Sequence, residues 1–195
     1  MILKQKLFTT GGFLFGWIFD NVLNQQECQY LINKSRPILN KSTTLGPQID
    51  SYRTSSNCFL QYNTNSVVDD VANIVSDFIK IPVENFEGMQ IVHYASGEHY
   101  KHHRDAFNTE DMPKQLNHGG QRTWTAFAYL NNVESGGETF FPKINQKIKP
   151  KMGRVAFWLN CVDGNVIHDS LHEAMPPVNC EKWGANIWVR EERFR

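Results

Sequence analysis

Apolar positions recur at two different periods along this chain, and the change of period divides it. In "SVVDDVANIVSDFIK", Val67, Val68, Val71, Ile74, Val75 and Phe78 return at helical spacing, which predicts an amphipathic helix. "NQQECQYLINKSRPILN" predicts another. Asn24 is a good N-cap, Glu27 stands in capping-box position, and Cys28, Leu31 and Ile32 form an apolar stripe. Pro37 ends or kinks that helix near Arg36. Between the two lies "KSTTLGPQIDSYRTSSN", polar and turn-rich, read as a loop with a short strand at its end. From Glu87 onward the period shortens. "MQIVHYA", "RTWTAFAYL", "RVAFWLN" and "WGANIWVRE" are rich in aromatic and β-branched residues and read as strands. Glycine turn signals separate them at 119–120, 136–137, 152–153 and 163–164. Helices followed by many short strands predict an α+β, mainly β fold: a sandwich or barrel with helices packed on one face.

The N-terminal stretch "MILKQKLFTTGGFLFGWIFDNVL" has the basic start and apolar run of a signal peptide, but glycines and threonines dilute it and no small-residue cleavage site follows. Phe13 to Leu23 reads instead as a strand leading into the first helix. No run approaches the length of a membrane span. With 195 residues the chain is expected to form a single domain, 13–85 giving strand and helical support and 86–195 the β core. Twenty basic and 20 acidic residues cancel, so no charged face invites nucleic acid or an anionic membrane. A soluble, cytoplasmic protein is expected. Cys28, Cys58, Cys161 and Cys180 show no C-x-x-C spacing; scattered buried thiols fit better than a zinc knuckle or a redox dithiol.

Candidate chemistry concentrates in "HYASGEHYKHHRD", where four histidines and an aspartate fall between His93 and Asp105. On a strand, His103 and Asp105 share a face and can grip one ion. A helix would instead pair His99 with His103, but the residue after His99 is Tyr100 and Gly97 weakens a helix. The strand reading is preferred. A His-x-Asp pair is weak by itself; a solvated strand looks the same. A third ligand is available downstream in "HDSLHEAMPPVNCEKWGANIWV", from His168 or His172. Two histidines and a carboxylate are the donor set of non-haem Fe(II) oxygenases, which leaves coordination positions open.

"YASGEHYKHHRD", "YLNNVESGGETFFP", "LHEAMPPVNCEKW" and, less sharply, "WIFDNVLNQQEC" and "YRTSSNCFL" together resemble the prolyl 4-hydroxylase family of Fe(II)- and 2-oxoglutarate-dependent dioxygenases. The resemblance runs from about Trp17 to Arg190. It implies a double-stranded β-helix, or jelly-roll, core with N-terminal helices packed on one sheet. It also implies Fe(II), the cosubstrates 2-oxoglutarate and O2, ascorbate as reductant, and hydroxylation of peptidyl proline at C4. The family's lysine ten residues beyond the distal histidine falls on Lys182 when counted from His172, and on Val178 when counted from His168. The resemblance therefore implies His103, Asp105 and His172 as iron ligands and catalytic residues. Lys182 would anchor the far carboxylate of 2-oxoglutarate, with Tyr94, Thr139 and Trp188 beside it. Tyr100 and Arg122 would face a peptide groove, whose ligand is a proline-containing segment, possible in polyproline II form.

Departures from the family pattern are Arg104, Cys180 and Arg190; they bear on which substrate is taken. A hydroxylase of lysyl or other side chains, or a peptide-binding relative without activity, are the competing readings. His93, His99, His102, His118 and His168 are expected to be solvated or supporting, not ligands. The polar stretches 41–57 and 106–121 are candidate lids over the groove.

Overall fold

The structure, a computed structural model, describes residues 1–43, 51–108 and 113–195. Parts of both candidate lids, 44–50 and 109–112, lie outside the described residues. Strands β1 (Ile2–Phe8), β2 (Leu14–Asp20), β3 (Asn40–Lys41), β4 (Ser56–Leu60), β5 (Met89–Tyr94), β7 (Arg122–Tyr129), β10 (Val155–Leu159) and β14 (Lys182–Arg190) form one sheet. Their order is β1-β2-β10-β7-β14-β5-β4-β3. A smaller sheet has the order β6-β13-β8-β9, made of β6 (Tyr100–His103), β13 (His172–Ala174), β8 (Thr139–Phe141) and β9 (Gln146–Ile148). A short hairpin joins β11 (Cys161–Val162) to β12 (Asn165–Val166). Neighbouring strands are antiparallel in both sheets.

The two predicted helices form where expected. Helix α1 (Gln25–Ser35) opens on a complete capping box between Asn24 and Glu27 and gives way to a 3₁₀ turn at Arg36–Ile38, where Pro37 sits. Helix α2 (Ser66–Ile79) is capped by Asn65 and buries Val68, Val71, Ala72 and Val75. A short turn of helix, α3, covers Pro113–Leu116. Strand alternation then sorts the residues of the large sheet. Met89, Ile91, Ala126, Ala128, Val155, Phe157, Ala185, Ile187 and Val189 pack with α1 and α2 in one cluster. Their neighbours in sequence, Val92, Tyr94, Phe127, Tyr129, Ala156 and Trp158, pack against Phe141 and Ile148 of the small sheet in a second. Each valine buried under α2 contributes about 1.5–3 kcal/mol. The space between the sheets is where the polar interior residues Gln90, Thr125, Lys182 and Asn186 also lie buried.

The N-terminus differs from expectation. Ile2–Phe8 is a strand in its own right, paired with β2 at the edge of the large sheet. Leu7 alone of its residues is buried, which is why the segment gives no clear alternation. Gly184 is needed on β14 because a Cβ there would stand 2.3 Å from the ring of Phe127. The four cysteines are unpaired thiols, three of them buried. No helix among the described residues is long and apolar enough to cross a membrane.

Asp20, at the end of β2, joins the sheet to the turn before β10. It accepts from Arg154 Nε at 2.7 Å and Lys151 Nζ at 2.9 Å. The Arg154 hydrogen bond, aided by Lys151 and opposed by burial, lowers its carboxyl from 3.8 to about 2. A carboxyl depressed on folding stabilises the native state above its unfolded pKa and loses that contribution as pH falls through the folded value. Asp20→Asn is therefore expected to cost about 2 kcal/mol at neutral pH and almost nothing near pH 2. Urea unfolding of both proteins at the two pH values checks this; a gap that does not shrink in acid contradicts it.

Candidate active site

Strands β6 and β13 pair so that His172 lies directly opposite His103. Their rings are 4.3 Å apart between centroids. Each Nδ1–H donates to a backbone carbonyl two residues earlier, His103 to Lys101 and His172 to Ser170, both at 2.8 Å. Those bonds fix the tautomer and leave both Nε2 atoms free to act as ligands. Asp105 follows just beyond the end of β6. One carboxylate oxygen is 3.8 Å from His103 Nε2 and the other 3.8 Å from His172 Nε2. The three ligand atoms lie within 4.8 Å of one another. Burial, with His172 adding to it, pushes His103 down to about 3, so its ring is neutral. Burial alone would raise the Asp105 carboxyl, but His172, His103, Arg122 and a hydrogen bond from Thr125 outweigh it and hold it below the ordinary value. A neutral imidazole and an ionised carboxylate are the protonation states a metal ion requires. The donor set fits Fe(II) with positions left open.

Beside this cluster lies a narrow cleft between the two sheets. Lys182 lines it, wholly buried, and its Nζ has no hydrogen-bond partner among the described residues. Three rings surround that atom: Tyr94 at 5.1 Å, Phe127 at 5.3 Å and Tyr129 at 5.7 Å to the centroid. Burial pushes the ammonium down to about 7. An unpaired cation in such a place is costly, and a ligand carboxylate would satisfy it. Tyr94 is the cross-strand partner of Lys182. Thr139 also lines the cleft and accepts from Tyr129 Oη at 2.7 Å. The indole of Trp188 forms another part of the wall. Tyr100 stacks on His103, 3.5 Å between centroids, and burial pushes its hydroxyl up to about 12. Six of the seven residues named as metal or cosubstrate partners, together with Tyr100, line the cleft; Asp105 stands behind it.

Arg122, expected at a peptide groove, lies outside the cleft. Its guanidinium makes two bonds to Glu87, at 2.6 and 2.7 Å, and lies against Trp188 at 3.6 Å and Phe107 at 4.7 Å. Arg190 shares Glu87 at 2.6 Å. Two guanidiniums thus share the one carboxylate of Glu87, and Arg122 reaches the cleft wall through the Trp188 ring. His93 is not simply solvated either: it is partly buried, 2.9 Å from Glu181 and packed on Trp183. His102 points away from the site to Glu173 at 3.3 Å. His168 is exposed in a 3₁₀ turn, its carbonyl taken by Arg104 at 3.3 Å.

Other lining residues went unread in the sequence: Arg53, Gln90 and Asn186. Arg53 stands 4.7 Å over the Tyr100 ring and bonds Gln90 at 3.3 Å. Gln90 and Asn186 face each other across β5 and β14. For Gln90 and Asn186 the signal was available, since each is a polar residue flanked by apolar ones in the interior of a strand.

Residues 89–190 match the model of the 2OG-Fe(II) oxygenase superfamily. Probable prolyl 4-hydroxylase 10 of Arabidopsis thaliana is 34% identical over 203 residues, spanning 91% of this chain and 69% of the relative. A putative prolyl 4-hydroxylase of Acanthamoeba polyphaga mimivirus is 34% identical over 182 residues, spanning 91% and 75%. Among solved structures, the viral collagen prolyl hydroxylase of Paramecium bursaria Chlorella virus-1, in its 2OG complex, superposes with a TM-score of 0.75 at 29% identity. That match covers 90% of this chain and 95% of the other. The jelly-roll architecture, the buried two-histidine, one-carboxylate cluster and these matches agree: the chain belongs to the prolyl 4-hydroxylase family of Fe(II)- and 2-oxoglutarate-dependent dioxygenases.

Proposed function

We propose that the protein hydroxylates peptidyl proline at C4, with His103, Asp105 and His172 holding Fe(II) and Lys182 binding the distal carboxylate of 2-oxoglutarate. The observation that carries this reading is the buried Lys182 Nζ, without a hydrogen-bond partner among the described residues, in the same cleft as His103 and His172. Bound Fe(II), 2-oxoglutarate and O2 supply the oxidation, with succinate and CO2 as by-products and ascorbate as reductant. The chain's own residues orient and shield. Phe127, Tyr94 and Tyr129 keep water from Lys182 and so strengthen its pairing with a carboxylate. Thr139 and Trp188 give that ligand its walls. Tyr100, stacked on His103, is positioned to carry the substrate ring toward the metal. A proline-rich segment in polyproline II form suits the role of substrate because it arrives preformed and loses little entropy on docking.

Succinate formation with Fe(II) and ascorbate, measured with a proline-rich peptide, a lysine-containing peptide or none, tests the reading. Stimulation by the proline peptide with a gain of one oxygen on proline is expected. Stimulation by the lysine peptide alone assigns the protein a different substrate, and no turnover in any mixture sinks the enzymatic reading.

A further inference from the structure

We infer that Thr125 and Asn160 are positioning residues that fix the Asp105 carboxylate for metal binding, Asn160 acting through the Thr125 hydroxyl. This rests on the proposed assignment of His103, Asp105 and His172 as metal ligands. Thr125 Oγ1 donates to Asp105 Oδ2 at 2.7 Å, and Asn160 Nδ2 donates to Thr125 Oγ1 at 2.8 Å. Thr125 and Asn160 are fully buried and Asp105 nearly so.

The direction of this relay is forced by chemistry. An ionised carboxylate only accepts, so the single hydroxyl proton of Thr125 must point to Asp105. Its oxygen then needs a donor, and Asn160 must present its NH2 group. The consequence is visible at the other end of the amide, where Asn160 Oδ1 is buried without a hydrogen-bond partner among the described residues. Leaving an acceptor unsatisfied in the interior is unfavourable for folding. The arrangement persists because the opposite amide orientation would set two acceptors against each other at Thr125, or turn its proton away from Asp105.

Asn160 is also tied to the distal histidine. Its backbone N–H donates to Thr123 O at 2.7 Å, and its carbonyl accepts from Ile167 N–H at 2.8 Å. Ile167 O in turn accepts from the Ser170 N–H at 3.0 Å and the Ser170 hydroxyl at 2.7 Å. Ser170 O accepts from His172 Nδ1. One residue at the end of β10 is therefore joined by hydrogen bonds to two of the three ligands. With Oδ2 engaged by Thr125, the carboxylate is disposed to bind through one oxygen, which preserves open coordination positions.

The test uses Mn(II) affinity, read from the free-ion EPR signal, and the visible spectrum of the Co(II)-loaded protein, both without turnover. Thr125→Val and Asn160→Leu keep size and remove the relay. Each is expected to weaken Mn(II) binding roughly 10- to 100-fold and to shift the Co(II) bands, whereas Thr125→Ser stays within about twofold of wild type. The double variant should bind no more weakly than Thr125→Val, because both act on one hydroxyl. Affinity and spectrum unchanged in Thr125→Val and Asn160→Leu, with only the melting temperature lowered, would show a purely structural role and overturn the inference. Should those variants not fold, the Asn160 side-chain NH2 resonances of the wild-type protein decide. They should exchange slowly with solvent and shift on adding Zn(II); rapid exchange or no shift overturns the inference. Failure of the underlying assignment gives a different result: His172→Ala would then bind Mn(II) as wild type does.

Discussion

Asp105→Ala and His172→Ala proteins are expected to fold and to consume no measurable 2-oxoglutarate. Loss of an outer-shell partner of a metal ligand costs about 10- to 100-fold, and loss of the ligand itself costs more. Folding survives because the two apolar clusters that hold the sheets and helices together do not include the ligands. Neighbouring groups hold the Asp105 carboxyl below its ordinary value, so the ionised group favours the native state at neutral pH. The metal-free Asp105→Ala protein should therefore melt somewhat below wild type but cooperatively, while its Fe(II) affinity collapses. His168→Ala is the control. That side chain is exposed and lies outside the ligand cluster, and its replacement should leave turnover intact. An active His172→Ala beside an inactive His168→Ala would reassign the distal ligand.

Lys182→Ala should leave Fe(II) affinity near wild type and raise the 2-oxoglutarate KM sharply. Loss of a buried charge pair worth about 3 kcal/mol corresponds to roughly a hundredfold weaker binding. Lys182→Arg should recover only part, since a planar fork must fit where Tyr94, Phe127 and Tyr129 enclose a single ammonium. A pH dependence follows as well. Burial pushes the free Lys182 ammonium down to about 7, and a bound carboxylate raises it again. A group whose pKa rises on binding favours the complex fully below its free pKa, and that advantage fades as pH climbs above it. The affinity for 2-oxoglutarate should thus be greatest below pH about 7 and fall by up to tenfold per pH unit above it. Lys182→Ala should bind weakly and almost independently of pH. Titration of 2-oxoglutarate against the Mn(II)-loaded proteins from acid to alkaline pH measures this, and a flat wild-type profile would count against Lys182 as the anchor.

Local patterns in the sequence carried much of this architecture. Alternation in "MQIVHYA" and "WGANIWVRE" separates the helix-facing residues Ile91 and Ile187 from the cleft-facing Val92 and Trp188. The capping box at Asn24 and Glu27 marked the start of α1 to the residue. His103 and Asp105 stood out because an extended His-x-Asp run puts both on one side, although β6 itself stops at His103 and Asp105 stands in the bend that follows. The choice of His172 over His168 had no such local basis and came from the family resemblance; in space it depends on β6 pairing with β13, segments far apart in the chain. The relay through Thr125 and Asn160 was hidden for the same reason: it joins β7 to the end of β10, and each residue by itself reads as an ordinary strand position. Arg122 shows the converse. Its type suited a peptide groove; in the fold its guanidinium pairs with Glu87, which Arg190 shares, and only the folded pairing reveals that.

Strand β14 follows β5 and β7 in the chain, yet it lies between them near the middle of the large sheet, with all nine residues buried. During synthesis the chain therefore emerges with its central place vacant. Until Lys182–Arg190 leave the ribosome, β5 and β7 each present an open edge, the kind of surface that recruits foreign strands. The same late segment carries Lys182, Asn186 and Trp188 into the cleft. Closure of the sheet and completion of the proposed cosubstrate pocket are thus one event, and a chain that lacks β14 has neither. Quality control that recognises open strand edges would, on this fold, also be recognising enzymes that cannot yet bind 2-oxoglutarate.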